Sequence, residues 1–388
     1  MPQYINKQIP SNETVPKNGK ECNTRPQLSK VNIVSLFAGA GGLDIAACNT
    51  GRVAAITSTD SNPIFLSTLE KNLPRHFPEV RHSIIATDVL ELHAETIRKT
   101  LGHGVDIVMG GPPCDDYTQF GKRRGFSGEK GPLIFEFLRL VDELKPACYV
   151  FENVPNLARQ FKDVFGRFLK KSQEIGYFSK WALLKACDYG APTLRTRVLV
   201  IGWRNKSENE DFYFPLPTHG DQTESVLLLE PTIALKPFVY VRDAFSGLPD
   251  VNTQEGVRFL NHTGRPHRPE TIEHLKTVPQ GKNIKKSFRY RAPWVGLSQS
   301  LTAGVDYATK SYIHPHYHRE MSVREYARIH GFPDTWEFSG NHHHGVKQVA
   351  NSVPIPLGEA ILAAVLQHLV PRLAETNAES LSLNLDYT

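Results

Sequence analysis

The sequence predicts an α/β protein: a Rossmann-like sheet in the first half, joined by a smaller irregular or β-rich domain. Three observations carry this. An apolar run at residues 31–37 leads into Ala38-Gly39-Ala40-Gly41-Gly42 and then a helix, the strand, glycine turn and helix of a nucleotide-binding unit. Further apolar runs alternate with helical spacing through residue 204. Composition then shifts at about Asn205 to short apolar runs and many prolines.

In a chain of 388 residues, 40% hydrophobic and 22% charged residues describe an ordinary globular protein long enough for two domains. No uninterrupted run of 18 apolar residues is present, which predicts no membrane-spanning helix. Residues 1–30 are polar, predicting a flexible arm with no signal peptide. The five cysteines (22, 48, 114, 148 and 187) form no CxxC pair, which suits free thiols in a reducing cytoplasm and gives no zinc module. With 45 basic against 40 acidic residues, the net charge of +5 is a mild hint of an anionic partner.

In order, the first strand ends at Phe37 and its glycine turn can bring backbone amides to an anionic group. The spacing is GxGG, not the dinucleotide GxGxxG, and a tight βα turn reads the same way. Residues 53–58 form the second strand, ending at Asp60, placed to hold ribose hydroxyls. Residues 83–86 form the third, ending at Asp88, which can accept a bond from an adenine amino group; each aspartate alone reads equally as a helix cap. Residues 105–109 form a buried strand, stopped by Gly110-Gly111-Pro112-Pro113-Cys114. The prolines fix the cysteine at the strand's C-terminal edge, where open α/β sheets collect ligands. Beyond it, Lys122, Arg123, Arg124 and Lys130 lie between glycines, so the thiol reads as a nucleophile meeting an anionic substrate, or as a buried structural cysteine.

Helical spacing covers 132–144. A strand at 147–151 ends in Glu152-Asn153-Val154, placing a carboxylate beside the Cys114 strand where partial burial would raise its pKa for proton donation. Strands at 181–186 and 196–202 follow, the second bringing Arg195 and Arg197 onto one face. Residues 261–268 and 282–291 are basic; in the latter Lys282, Lys285, Lys286, Arg289 and Arg291 interleave with Phe288 and Tyr290, a nucleic-acid footprint or a solvated face. A helix spans 320–331 with Arg324, Glu325 and Arg328 on its polar side. His342-His343-His344 reads as a polar loop without metal, since three consecutive residues cannot share a face. Residues 348–356 lead to a last helix ending near Leu369, and 374–388 read as a polar tail.

These residues resemble, in order from Val31 to about Leu369, the motifs of the DNA cytosine-5 methyltransferases of bacterial restriction-modification systems. Ser35-Leu36-Phe37-Ala38-Gly39-Ala40-Gly41-Gly42-Leu43 resembles the S-adenosylmethionine motif, and Gly110 to Cys114 the Pro-Cys motif. Glu152-Asn153-Val154 resembles Glu-Asn-Val, Arg195-Thr196-Arg197 the end of Gln-x-Arg-x-Arg, and Arg324 to Arg328 the late helix. Gln348-Val349-Ala350-Asn351-Ser352-Val353-Pro354 resembles the motif that returns to the cofactor site. Asp60 stands for the usual Glu, Asp115 for Gln, Tyr117 for Phe, Thr118 for Ser, Thr193 for Gln and Ala350 for Gly. Asp115 would raise the pKa of a neighbouring thiol, and Arg123-Arg124 would offset it.

The resemblance implies a Rossmann-like S-adenosylmethionine-dependent methyltransferase sheet over 31–204 and a target-recognition domain over 205–296. It also implies a segment, 297–373, returning to the catalytic domain. It implies Cys114, Glu152, Arg195 and Arg197 as catalytic, and Phe37, Gly39, Gly41, Gly42, Asp60, Asp88, Pro112, Asn351 and Ser352 as cofactor-binding. Lys122, Arg123, Arg124, Lys282, Lys285, Lys286, Arg289 and Arg291 would meet double-stranded DNA. A monomer in the bacterial cytoplasm, paired in function with a companion restriction endonuclease, is the further implication. Three readings stay open beside it. A nicotinamide oxidoreductase shares the glycine turn but needs neither Pro-Cys nor Glu-Asn-Val. The others are an RNA cytosine-5 methyltransferase and a non-catalytic nucleic-acid binder.

Overall fold

Seven strands form one sheet whose order fixes where chemistry can occur. The computed structural model describes residues 30–113, 132–221, 234–283, 289–301 and 312–385, with side chains through Pro371. From the N-terminus, β1 (Val31–Leu36) leads into α1 (Gly42–Asn49), β2 (Val53–Asp60) into α2 (Pro63–His76), and β3 (Arg81–Ala86) into α3 (Ala94–Leu101). Next come β4 (Ile107–Gly110), α4 (Leu133–Leu144), β5 (Cys148–Asn153), α5 (Pro155–Arg159) and α6 (Lys162–Glu174). The hairpin strands β6 (Phe178–Lys185) and β7 (Thr196–Trp203) complete a sheet ordered β3-β2-β1-β4-β5-β7-β6. Strands β1 to β5 are parallel, whereas β7 runs antiparallel to both β5 and β6. The order reverses between β1 and β4, so the crevice at their C-terminal ends is the expected ligand site.

Burial on both faces explains the composition of the central strands. Every residue of β4 and β5 is buried, giving the nearly unbroken apolar runs of a covered parallel sheet. One face packs on α1 and on the later helix α12 (Ile355–Leu385), with Ile33, Ile56, Met109 and Val150 meeting Leu357, Ile361 and Val365. The other packs on α3, α4 and α6 through Val34, Val108, Phe137, Phe151 and Phe168. Three helices of this half, α2, α5 and α6, escape the sequence reading: Pro74 lies inside α2, α5 has only five residues, and α6 has no side-chain N-cap bond.

The second half is built from short pieces. They are α7 (Lys206–Asp211), the two-residue ladder β8 (His219–Gly220) with β9 (Lys236–Pro237), and α8 (Val241–Ala244). These lead to α9 (Pro269–Lys276) and the ladder β10 (Tyr290–Arg291) with β11 (Tyr312–Ile313). Three helices close the chain: α10 (Val323–Ile329), α11 (His342–Asn351) and α12 (Ile355–Leu385). Irregular coil, not β structure, thus dominates this half among the described residues. Its apolar side chains share a core with the first half, where Val241, Phe245, Tyr326 and Trp336 pack against Ile45, Leu66 and Leu69.

Three expectations change here, and a fourth is qualified. The triple histidine lies in the first turn of α11, not in a loop, because Asn341 caps that helix by accepting from the His344 N–H. Arg324 and Glu325 are buried, not on a polar face. Arg324 donates to the carbonyls of Leu260, Pro333 and Trp336, and Glu325 receives both guanidinium nitrogens of Arg319 at 2.8 and 2.7 Å. The last helix does not end near Leu369 but continues through Leu385, into the stretch read as a tail. Finally, His342–Pro371 is long and apolar enough to cross a membrane, although 67% of its most apolar window is buried inside the fold. That burial makes it a core segment.

Candidate active site

The glycine turn after β1 is packed on one side and open on the other. Gly41 takes φ +85°, and a Cβ there would lie 2.5 Å from Leu69; at Gly42 it would lie 2.7 Å from the Val353 carbonyl. Only glycine permits these approaches. At Gly39 an added Cβ would meet nothing closer than the Phe37 carbonyl at 4.0 Å, so this flank faces open space. Phe37 itself takes φ +54° as the chain leaves the sheet. The Asp60 carboxylate accepts from the Gly39 N–H at 2.9 Å through one oxygen and from Asn62 at 2.8 Å through the other. Burial raises its pKa, against the lowering effect of those amides. Asp88 is exposed beyond β3 and accepts from Leu90 at 3.0 Å. An open backbone turn flanked by two carboxylates at strand ends fits an adenosyl cofactor, its hydroxyls and amino group facing acceptors.

Under the turn, Asp44 is fully buried and accepts from Ser35 Oγ at 3.0 Å and Ser58 Oγ at 2.5 Å. Burial pushes its pKa up to about 6, more than the two hydroxyls pull it down. The unfolded value is near 3.9, so the folded state binds the extra proton. This stabilisation is present below pH ~4 and lost as pH rises through ~6, by about 3 kcal/mol in all. Urea midpoints measured from pH 4 to 7 are expected to fall across that window, and the fall should vanish in Asp44→Asn. The sequence reading placed a helix start here and missed the buried acid.

At the β4 edge, a Cβ on Gly111 would lie 2.5 Å from Glu152 Oε2, so the Gly-Gly-Pro-Pro turn lies directly against the β5 carboxylate. Asn153, buried in the next position, donates from Nδ2 to the Pro112 carbonyl at 3.2 Å and fixes that turn. Because β7 is antiparallel to β5, its N-terminal end meets the C-terminal end of β5, with Asn153 beside Val198. Arg197 thereby reaches Glu152, Nε to Oε1 at 2.5 Å, with both side chains 9% exposed.

Arg195 lies elsewhere. Its guanidinium donates to the Leu301 and Ala350 carbonyls at 2.7 and 2.6 Å, tying β7 to the later segments instead of facing the Glu152 pair. Ser352 Oγ donates to the Val349 carbonyl at 2.7 Å beneath Gly42, whereas Asn351 is exposed. Cys114, Lys122, Arg123, Arg124, Lys285 and Lys286 lie outside the described residues. Lys282 is exposed and Arg289 half-buried.

Arg291 departs from its expected role on DNA. It is 3% exposed, and its guanidinium donates to the carbonyls of Leu275, Val278, His314, Pro315 and Tyr317. A buried cation with five carbonyl acceptors is a brace for irregular coil. Arg291→Met is therefore expected to destabilise the fold by about 3 kcal/mol. The salt slope of DNA binding should not change, whereas loss of a phosphate contact would reduce it by about one. Denaturant melts and salt titrations check the two parts.

A Rossmann-like sheet of this order, with an open glycine turn beside two carboxylates and a Glu-Arg pair against the Gly-Gly-Pro-Pro turn, is the architecture of a methyl-transferring enzyme. Residues 31–367 match the family model for C-5 cytosine-specific DNA methylase. The chain belongs to that family and is a DNA cytosine-5 methyltransferase, and the family implies methylation from S-adenosylmethionine. It is 28% identical over 355 residues to the Type II methyltransferase M1.HphI of Haemophilus parahaemolyticus, covering 86% of each chain. It is 26% identical to M.SacI of Streptomyces achromogenes, covering 87% of this chain and 93% of that one. Among solved structures, a protein of an E. coli prophage assigned as a DNA modification methyltransferase matches with TM-score 0.66 and 25% identity, over 88% of this chain and 99% of that one. The methyltransferase EhMeth of Entamoeba histolytica matches with TM-score 0.58 and 17% identity over 89% and 99%, a likeness of fold.

Proposed function

We propose that the protein methylates C5 of one cytosine within a specific duplex DNA sequence, through a covalent bond between Cys114 and C6 of a flipped-out base. The observation that supports this most is the Glu152–Arg197 pair set against Gly111, three residues before Cys114. Addition to C6 must come through the face of the ring, which stacked neighbours cover in a duplex, and N3 is paired to guanine, so the base must leave the stack at a cost of a few kcal/mol.

Bound S-adenosylmethionine supplies a methyl group on a cationic sulfur, and cytosine C5 alone is too weak a nucleophile to take it. The Cys114 thiolate adds to C6, and the displaced electron pair makes C5 enamine-like. Charge builds at N3 and O2. A proton shared between the Glu152 carboxyl and N3 neutralises the first, and the Arg197 guanidinium neutralises the second. Once C5 is methylated, its proton leaves to water and the electron pair re-forms the C5–C6 bond, expelling the thiolate. Asn153 holds the Pro112 carbonyl, two residues before Cys114 in the chain, and Asp60 holds the Gly39 amide at the cofactor turn. Arg195 serves as a tie between β7 and the segments at 301 and 350. Lys122, Arg123, Arg124, Lys282 and Arg289 are assigned to the DNA backbone. Relatives named as Type II methyltransferases support a cytoplasmic enzyme that protects DNA from a companion endonuclease.

Transfer of tritiated methyl groups to duplex DNA and to tRNA tests the substrate, and bisulfite sequencing of the labelled DNA locates the cytosine. Label confined to DNA at one sequence is the expected result; label confined to RNA overturns it.

A further inference from the structure

The turn that follows the strand of Glu152 presents two exposed cations, Arg159 and Lys162. Strand β5 ends at Asn153 and α5 starts at Pro155, so α5 lies at the same edge of the sheet as Glu152. Its underside is anchored. Leu157 is buried in the core cluster that contains Phe151 and Val198, the strand neighbours of Glu152 and Arg197. The Asn156 carbonyl closes the turn into α6 by accepting from the Gln160 and Phe161 N–H groups at 2.8 and 3.1 Å. Phe165 and Phe168 seat α6 in the same cluster. Arg159 ends α5 and Lys162 opens α6. From Asn153 to Arg159 the chain runs two extended steps and one turn of helix, a reach of about 13 Å.

Charge is distributed unevenly along this surface. Between residues 155 and 173 the cations Arg159, Lys162, Arg167, Lys170 and Lys171 share the sequence with one acid, Asp163. Cations farther from the cleft take carboxylate partners. Arg139 on α4 pairs with Glu136 and Glu143 at 2.7 Å, Lys145 pairs with Asp142, and Lys171 near the far end of α6 lies 3.8 Å from Glu174. Arg159 and Lys162 make no ion pair or hydrogen bond through their side chains among the described residues. Surface ion pairs add little stability, so leaving these two unpaired costs the fold little and keeps a positive field beside the Glu152 edge.

We infer that Arg159 and Lys162 hold duplex DNA from the catalytic half, each neutralising a backbone phosphate near the cytosine that enters the Glu152–Arg197 site. The inference rests on the duplex-DNA reading above. When a base leaves the stack, its own phosphates stay at the mouth of the pocket. The surface bordering that mouth therefore meets backbone whatever the sequence, and contacts there supply affinity and register without reading bases. Two cations on anchored helices, one turn of helix away from the catalytic strand, suit that task. They act on the opposite side of the chain from Lys282 and Arg289, which belong to the second half.

Duplex binding by the full chain, titrated against salt with S-adenosylhomocysteine present, tests this. Arg159→Gln combined with Lys162→Gln is expected to flatten the slope of log K against log salt by about 2, and each single replacement by about 1. Near 0.1 M salt the double variant should bind the target duplex roughly 10- to 60-fold more weakly. Duplex without the target sequence should lose the same factor to within about 2-fold. The charge-preserving pair, Arg159→Lys with Lys162→Arg, should keep the parental slope. Urea midpoints should match the parent throughout, because both side chains are exposed. A parental slope in the glutamine double variant overturns the inference. So does a loss confined to the target sequence, or a loss shared by the charge-preserving pair. Failure of the duplex-DNA reading is distinguishable, because the parent enzyme itself would then leave duplex DNA unlabelled.

Discussion

Replacing Cys114 with serine is expected to lower methyl transfer by roughly 10⁴-fold or more, the scale on which removal of a covalent nucleophile is felt. A hydroxyl has the wrong acidity to supply an anion near neutral pH, whereas a thiol supplies a thiolate. Binding of S-adenosylmethionine should stay within about 2-fold of the parent, since the cofactor turn is held by Gly41 and Gly42 at the start of α1 and by Asp60 at the end of β2. Equilibrium dialysis and single-turnover transfer separate the two quantities. A complementary readout uses the parent enzyme with duplex DNA carrying 5-fluorocytosine at the target. Fluorine cannot leave as a cation, so the sulfur–carbon adduct should persist through denaturing electrophoresis. Turnover by the serine variant, or no persistent adduct, would remove covalent catalysis.

The second large effect is expected at the Glu152–Arg197 pair. Arg197→Ala and Glu152→Gln should each reduce kcat by about 10²- to 10³-fold, as loss of a preorganised charge stabiliser does. The two side chains touch at 2.5 Å and act on one delocalised charge, so the double variant should be little worse than either single one. Multiplicative losses in single-turnover transfer would show two independent roles. Arg195 offers the contrast. Its loss should appear mainly in stability, because its donors hold backbone carbonyls on two other segments.

The cofactor half was legible in the sequence because local chemistry dictated it. A strand that meets Gly-Gly-Pro-Pro must stop, and a helix that begins on Gly41-Gly42 needs the close approach that a side chain would block. The roles of individual arginines were not legible. Arg195, Arg291 and Arg324 look from spacing like solvent-facing or substrate-facing cations, yet each is buried against carbonyls of segments distant in the chain. Irregular coil leaves many carbonyls without ladder partners, and a guanidinium with five donors satisfies several at once. Periodicity carries no signal for such ties, since their acceptors are backbone atoms of any residue type. Asp44 was hidden for a similar reason: its partners Ser35 and Ser58 lie on two different strands.

The seating of Val353 against Gly42 also sets a timetable for biosynthesis. These positions are 311 residues apart, so at ribosomal rates on the order of 15 to 60 s pass between their emergence. Throughout that interval the glycine turn lacks its backing and α1 lacks the covering of α12. A nascent chain is therefore expected to lack a closed cofactor turn until residue 353 has emerged, and a product that stops short of it should not methylate DNA.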